Sequence, residues 1–155
     1  MYIRLAKGGD PVVSNPSLPC EIGQGVRVRE GGEVLVVTTG ITLQVALAAA
    51  DALAAEGIAL SLLHCHTVKP LDTEALFIMA ADAKGIIVIE EHLASGGLGS
   101  AVLEALADWP DSPPIQRLGL PDAYSREYGS QSEQMETFGL TADRLQDVVV
   151  EVVAN

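Results

Sequence analysis

Four short segments of the chain carry groups able to bind or react. His64-Cys65-His66 offers two imidazoles and a thiol, and Glu90-Glu91-His92 offers two carboxylates and an imidazole. Gly96-Gly97-Leu98-Gly99-Ser100 offers backbone amides ahead of a helix, and Thr38-Thr39-Gly40 offers amides at a tight turn into another, where the turn alone accounts for the glycine. A structural zinc takes about four ligands, arranged tetrahedrally around the ion. Strand alternation puts His64 and His66 on one side and Cys65 on the other. The remaining candidates, Cys20 and His92, do not complete a set, so no metal site is assigned. Glu90 and Glu91 likewise point to opposite faces if the strand persists, which argues against a shared acid–base pair. No serine stands in a G-x-S-x-G elbow, and Cys65 sits in an apolar strand without an evident activating base. No catalytic residue is assigned.

The glycine-rich segment is different. Free amides at a helix N-terminus and the helix dipole favour an anion there, making Gly96, Gly97, Gly99 and Ser100 a candidate anion site. It is not the dinucleotide fingerprint, because Val102 stands where a third small residue is required. A stand-alone anion- or nucleotide-binding regulatory module is therefore one functional reading.

These segments need elements to hold them. Val34-Leu35-Val36-Val37 is an unbroken apolar run, as expected of a strand buried on both faces. A helical pattern then carries Leu43, Leu47, Ala50 and Ala54, closed by Gly57. The unit repeats with a strand over 58–66 and a helix capped by Asp72 with Leu76, Met79, Ala80 and Ala83 inward. Ile86-Ile87-Val88-Ile89 is a third strand, followed by a helix with Val102, Leu103 and Leu106. A shorter strand over 115–120 precedes a loop, and Thr141 caps a last helix bearing Leu145, Val148, Val149 and Val152.

Strand starts spaced 25 to 29 residues apart match strand–helix–strand units. Right-handed crossovers lay such strands parallel, with helices on both faces. The expected fold is α/β, a three-layer α/β/α sandwich around a mostly parallel sheet of about five strands. Val26-Arg27-Val28-Arg29 alternates, and Gly31-Gly32 is expected to turn it as an antiparallel hairpin onto strand 34–39. Tyr2-Ile3-Arg4-Leu5 reads as one short strand, and 7–24, rich in proline and glycine, as a linker.

Nine basic against 21 acidic residues give a net charge of −12, which repels phosphate backbones and anionic lipid headgroups. Nucleic acid and membrane are excluded as partners on that ground, and no apolar run approaches the roughly 20 residues of a bilayer span. Two cysteines and no basic-then-apolar leader point to the cytoplasm. With 48% apolar residues but only 4% aromatic ones, the core must be aliphatic, which suits close helix-on-sheet packing.

Several segments together resemble the C-terminal domain of transketolase: Gly40 after its strand; Thr67-Val68-Lys69-Pro70-Leu71-Asp72; Glu90-Glu91-His92 with Gly96-Gly97-Leu98-Gly99-Ser100; Gly119-Leu120-Pro121-Asp122; and Gly139-Leu140-Thr141. They run in family order from about residue 34 to the end. Tyr124-Ser125-Arg126-Glu127-Tyr128-Gly129 departs from the family pattern. The resemblance implies that 1–24 holds the end of a preceding pyrimidine-binding domain and its linker, and that 25–155 is the C-terminal-like domain. It further implies a non-catalytic domain or subunit supporting assembly and dimerisation, with possible regulation, in an enzyme moving two-carbon ketol units between sugar phosphates. Glu91, His92 and Asp122 become candidate domain-interface residues. No cofactor is expected on this chain alone. Thiamine diphosphate and Mg2+ are expected in the complete enzyme, between partner diphosphate- and pyrimidine-binding domains, the metal held by a Gly-Asp-Gly…Asn motif of the diphosphate domain, of which Gly8-Gly9-Asp10 is only an echo. A homodimer is the expected assembly. Relatives sharing the domain include 1-deoxyxylulose-5-phosphate synthase and the beta subunits of 2-oxoacid dehydrogenases.

Overall fold

A computed structural model of the chain describes residues 2–4, 11–13, 15, 17–18, 20–125 and 128–154. Ten elements follow in order: β1 (Val26–Arg29), β2 (Val34–Thr38), α1 (Thr42–Ala55), β3 (Leu60–His64), α2 (Thr73–Ala80), β4 (Gly85–Leu93), α3 (Leu98–Leu106), β5 (Ile115–Leu120), α4 (Gln131–Thr137) and α5 (Ala142–Val153). The strands form one sheet in the order β1-β3-β2-β4-β5. β2 pairs in parallel with both β3 and β4, and β4 with β5, while β1 runs antiparallel to β3. The expected three-layer, mostly parallel sandwich is what the chain forms.

Alternation along the strands builds two cores. Val34, Val36, Leu62, Ile87 and Ile89 pack against Ala46, Ala49, Leu53, Leu145 and Val149 of α1 and α5. Leu35, Val37, Leu63, Ile86 and Val88 face Leu76 of α2 and Leu98 and Val102 of α3. Every β2 residue is buried, as an apolar run covered on both faces requires. The small Ala46, Ala49 and Ala50 let α1 lie close on the sheet. Helix faces are rotated slightly from the sequence pattern. In α1, Leu47 is half-buried and Ala54 exposed; in α3, Leu103 points outward; the α5 stripe is buried throughout.

Three expectations are corrected. β1 does not fold back on β2: both edges of β2 are taken by β3 and β4, so β1 crosses to the free edge of β3. Gly32 makes that crossing possible, since a Cβ there would lie 2.4 Å from the Leu60 carbonyl carbon and the Ser61 nitrogen. Its amide instead meets the Ser61 hydroxyl at 2.9 Å. The expected strand at Tyr2–Leu5 is not found either: Tyr2, Ile3 and Arg4 carry no strand, and Leu5 lies outside the described residues. The stretch before Thr141 holds a seven-residue helix, α4, with a complete Ser130–Glu133 capping box.

Candidate functional site

In an open parallel sheet the loops beyond the strand carboxyl ends meet at one edge, where ligands ordinarily sit. Here that edge gathers Thr38-Thr39-Gly40 after β2, His64-Cys65-His66 after β3, the end of β4 from Glu90 to Leu93, and Pro121-Asp122 after β5. The Thr42 hydroxyl lies 2.8 Å from the carbonyls of both Thr39 and Ile89, tying the first turn of α1 to the ends of β2 and β4.

β4 runs four residues beyond its apolar run, and its pairing with β5 shifts register between Ile89 and Leu93. Glu90 points inward and is 2% exposed, while Glu91 lies on the other side, half-buried. The Glu90 carboxylate accepts the Leu98 amide at 2.7 Å and the Gly99 amide at 2.8 Å. A buried carboxylate is tolerated there because charge-assisted hydrogen bonds and the positive end of α3 compensate its desolvation. The Gly96 amide turns to the Ser100 hydroxyl at 2.8 Å. The cradle formed by Gly96, Gly97, Gly99 and Ser100 is thus filled from within, by Glu90. Gly97 must lack a side chain, since a Cβ would stand 2.0 Å from Glu90 Oε2.

Glu91 and His92 face outward. Glu91 Oε1 accepts from Gln131 Nε2 of α4 at 2.8 Å, and its carbonyl accepts from Arg4 at 3.3 Å. His92 is exposed, and its Nδ1 accepts the Leu93 amide at 2.8 Å, leaving Nε2 to carry the proton of the neutral ring. Asp122 is exposed beyond β5. The edge therefore brings Glu91 and His92 together with Arg4 and Gln131. The last two were not anticipated from sequence; the capping signature Ser130-Gln131-Ser132-Glu133 would have located Gln131.

At the end of β3, His64 Nδ1 and the Thr38 hydroxyl lie 2.9 Å apart. Burial, and then the neighbouring His66, holds His64 down at about 4. Cys65 is on the opposite side, 1% exposed, with its thiol pushed up to about 12 by burial and then by Asp72. A thiol so shifted is almost wholly protonated and non-nucleophilic at neutral pH. Among the described residues, no three His, Cys, Asp or Glu side chains gather as metal ligands. Asp72 does structural work instead, capping α2 through Ala75 N at 3.0 Å and holding Gly25 N at 2.8 Å. Surface depressions of about 370 and 380 Å³ lie elsewhere, one beside Gly32, Ser61 and Met79 and the other beside Tyr128 and α4. No helix is long and apolar enough to cross a membrane among the described residues.

The family described as "Transketolase, C-terminal domain" matches residues 23–145. A 1-deoxy-D-xylulose-5-phosphate synthase of Heliobacterium modesticaldum is 39% identical over 131 residues, covering 84% of this chain and 20% of its own length. A 6-deoxy-6-sulfo-D-fructose transketolase subunit of Clostridium sp. (strain MSTE9) is 36% identical over 146 residues, covering 94% of this chain and 44% of its own length. Among solved structures, a split-gene transketolase described as an inactive beta4 tetramer superposes with a TM-score of 0.86 at 35% identity, over 99% of this chain and 49% of that one. A transketolase variant from Pichia stipitis, at 18% identity and a TM-score of 0.62 over 85% of this chain and 18% of its own, shares the fold. The chain spans between about a fifth and a half of the length of these relatives. With that family's description matching residues 23–145, the chain belongs to the transketolase C-terminal domain family.

Proposed function

We propose that this chain acts as the assembly domain of a thiamine-diphosphate-dependent transketolase-like enzyme, whose other domains carry the coenzyme and move two-carbon ketol units between sugar phosphates. The observation that carries this reading is the agreement with a split-gene transketolase over 99% of the chain. The residues present do not fit the coenzyme: the amides of Leu98 and Gly99, the natural seat for a diphosphate, are occupied by Glu90. In this reading residues before 25 lead in from a pyrimidine-binding domain, the enzyme is a cytoplasmic homodimer, and Glu91, His92 and Asp122 contact the neighbouring domain. Their support is exposure or half-burial at the edge where Arg4 and Gln131 converge on Glu91.

A second reading has its own observation. The 39% identity to a 1-deoxy-D-xylulose-5-phosphate synthase favours an enzyme that makes a deoxyketose phosphate. The two are separated by assaying the complete enzyme for ketol transfer between sugar phosphates and for formation of 1-deoxy-D-xylulose 5-phosphate. Calorimetric titration of this chain with thiamine diphosphate and Mg2+ tests the shared claim. No binding heat is expected up to millimolar coenzyme. Micromolar binding by the chain alone defeats the assembly reading.

A further inference from the structure

α2 is apolar on every side. Ala75 to Ala80 is an unbroken apolar run, and at about 100° per residue it faces every direction around the helix axis. Ala75, Leu76 and Ala80 are buried, which leaves Phe77 and Ile78 outward, 38% and 51% exposed. The Phe77 ring meets that of Trp109, just beyond α3, at 5.3 Å between centroids. Among the described residues of α1, α4 and α5, by contrast, Val150 is the one large apolar side chain that is exposed. A helix apolar all round is ordinarily a buried helix. This face therefore calls for a cover.

Charge decides what the cover is. Ile78 and Met79 form the apolar wall of the depression of about 370 Å³ beside Gly32, and Glu30, Glu33 and Asp82 line its other sides. Glu33 pairs with Lys84 at 3.1 Å and Glu30 approaches Arg27 at 3.9 Å, while Asp82 has no ion pair among the described residues. Glu74 and Asp82, both exposed, stand four residues before and after Ile78, on its side of the helix. A second copy of the chain would set these carboxylates against their own kind around the apolar centre, and like charges so opposed disfavour pairing. Lysine and arginine suit the same ground, since an aliphatic stem can lie on Ile78 and Met79 while its cation reaches the carboxylates.

We propose that the outer face of α2 is the docking surface for a cationic amphipathic helix of a partner protein. The apolar stripe of that helix lies on Phe77, Ile78 and Trp109, and a lysine or arginine at its margin enters the depression beside Met79. Gly31 to Glu33 leads into β2 and Asp82 into β4, so the surface is at the amino end of the sheet. It is separate from the domain contact proposed at Glu91 and His92, which stand at the carboxyl end.

Trp109 is the single tryptophan of the chain, so its emission reads this surface directly. The test is titration of the intact chain with a synthetic helical peptide bearing a leucine stripe bordered by lysines. A saturable blue shift of Trp109 emission at micromolar peptide is expected, and none with a twin peptide carrying glutamates in place of the lysines. Ile78→Ser and Asp82→Lys, both at exposed positions, should each weaken binding about tenfold. Asp147→Lys, the same change of charge at an exposed position of α5, should alter it by less than about twofold. Equal weakening by Asp147→Lys and Asp82→Lys, equal binding of the glutamate twin, or no shift at millimolar lysine peptide overturns the proposal. So does a dimer of the chain that Ile78→Ser dissociates, because it assigns the face to a second copy.

Discussion

A methyl group added at Gly97 offers a sharp test of how the β4–α3 turn is held. The backbone of Gly97 is extended, at φ −99° and ψ −151°, so alanine meets no left-handed strain there. What it meets is Glu90: the added Cβ would lie 2.0 Å from Oε2, 2.7 Å from Cδ and 2.9 Å from Oε1. A carboxylate at the end of a flexible side chain usually moves aside cheaply. Here it is buried and held by two amides, so moving it sacrifices both hydrogen bonds and leaves buried donors without partners. Charge-assisted bonds of this kind contribute about 1.5–3 kcal/mol each, with part recovered if water follows, so Gly97→Ala should cost about 2–4 kcal/mol. Glu90→Ala should cost about 3–5 kcal/mol, the same bonds plus the void left behind. In the Glu90→Ala background the clash has no partner, and Gly97→Ala should then cost under about 1 kcal/mol, the ordinary difference at a helix N-cap. Urea unfolding of the four proteins, compared at constant m, yields a coupling of about 2 kcal/mol or more. Additivity to within about 0.5 kcal/mol would show that Glu90 does not fill the turn as described.

Three further outcomes follow from other contacts. Asp72→Ala removes both the cap of α2 and the hold on Gly25, and should lower stability by about 2–4 kcal/mol in urea. Asp72→Asn, which keeps one acceptor oxygen, should recover about half of that loss. Gly32→Ala drives a Cβ into backbone atoms of Leu60 and Ser61, which cannot rotate away. It should cost about 3 kcal/mol or more, with β1 losing its protection from hydrogen exchange before the central strands do. Cys20 is exposed and Cys65 buried. In a disulfide-exchange thiol assay at pH 8 only one thiol per native chain should react quickly, the second appearing on unfolding; two fast thiols would contradict the burial of Cys65.

The stability tests at Glu90 with Gly97 and at Asp72 probe different parts of the fold. Glu90 and Gly97 report on how a helix start is locked to the strand that precedes it, and Asp72 on how the lead-in segment is fastened to the sheet. Neither position touches the outward surface formed by Glu91 and His92. Stability changes at Glu90 and Gly97 are therefore separable from the assembly changes that the proposed interface predicts at Glu91 and His92.

The apolar runs at Val34–Val37 and Ile86–Ile89, and the α5 stripe of Leu145, Val148, Val149 and Val152, dictate their own structure, because burial on both faces or along one stripe leaves a periodicity that one chain can display. The same alternation settles that Glu90 and Glu91 face apart. Which of them faces the core was not legible, since that depends on α3 returning its first amides to the end of β4. Nor could Val26–Arg29 name its neighbour: the choice between β2 and β3 rests on both edges of β2 being claimed by distant crossovers. α4 escaped notice because seven residues with a single buried side chain, Met135, leave almost no periodic signal. Composition and local pattern determined the layers and the helices α1, α2, α3 and α5. Only the tertiary structure decided strand order, the internal occupant of the glycine turn, and the meeting of His64 and His66 beside Thr38, because these arise from contacts between segments far apart in the chain.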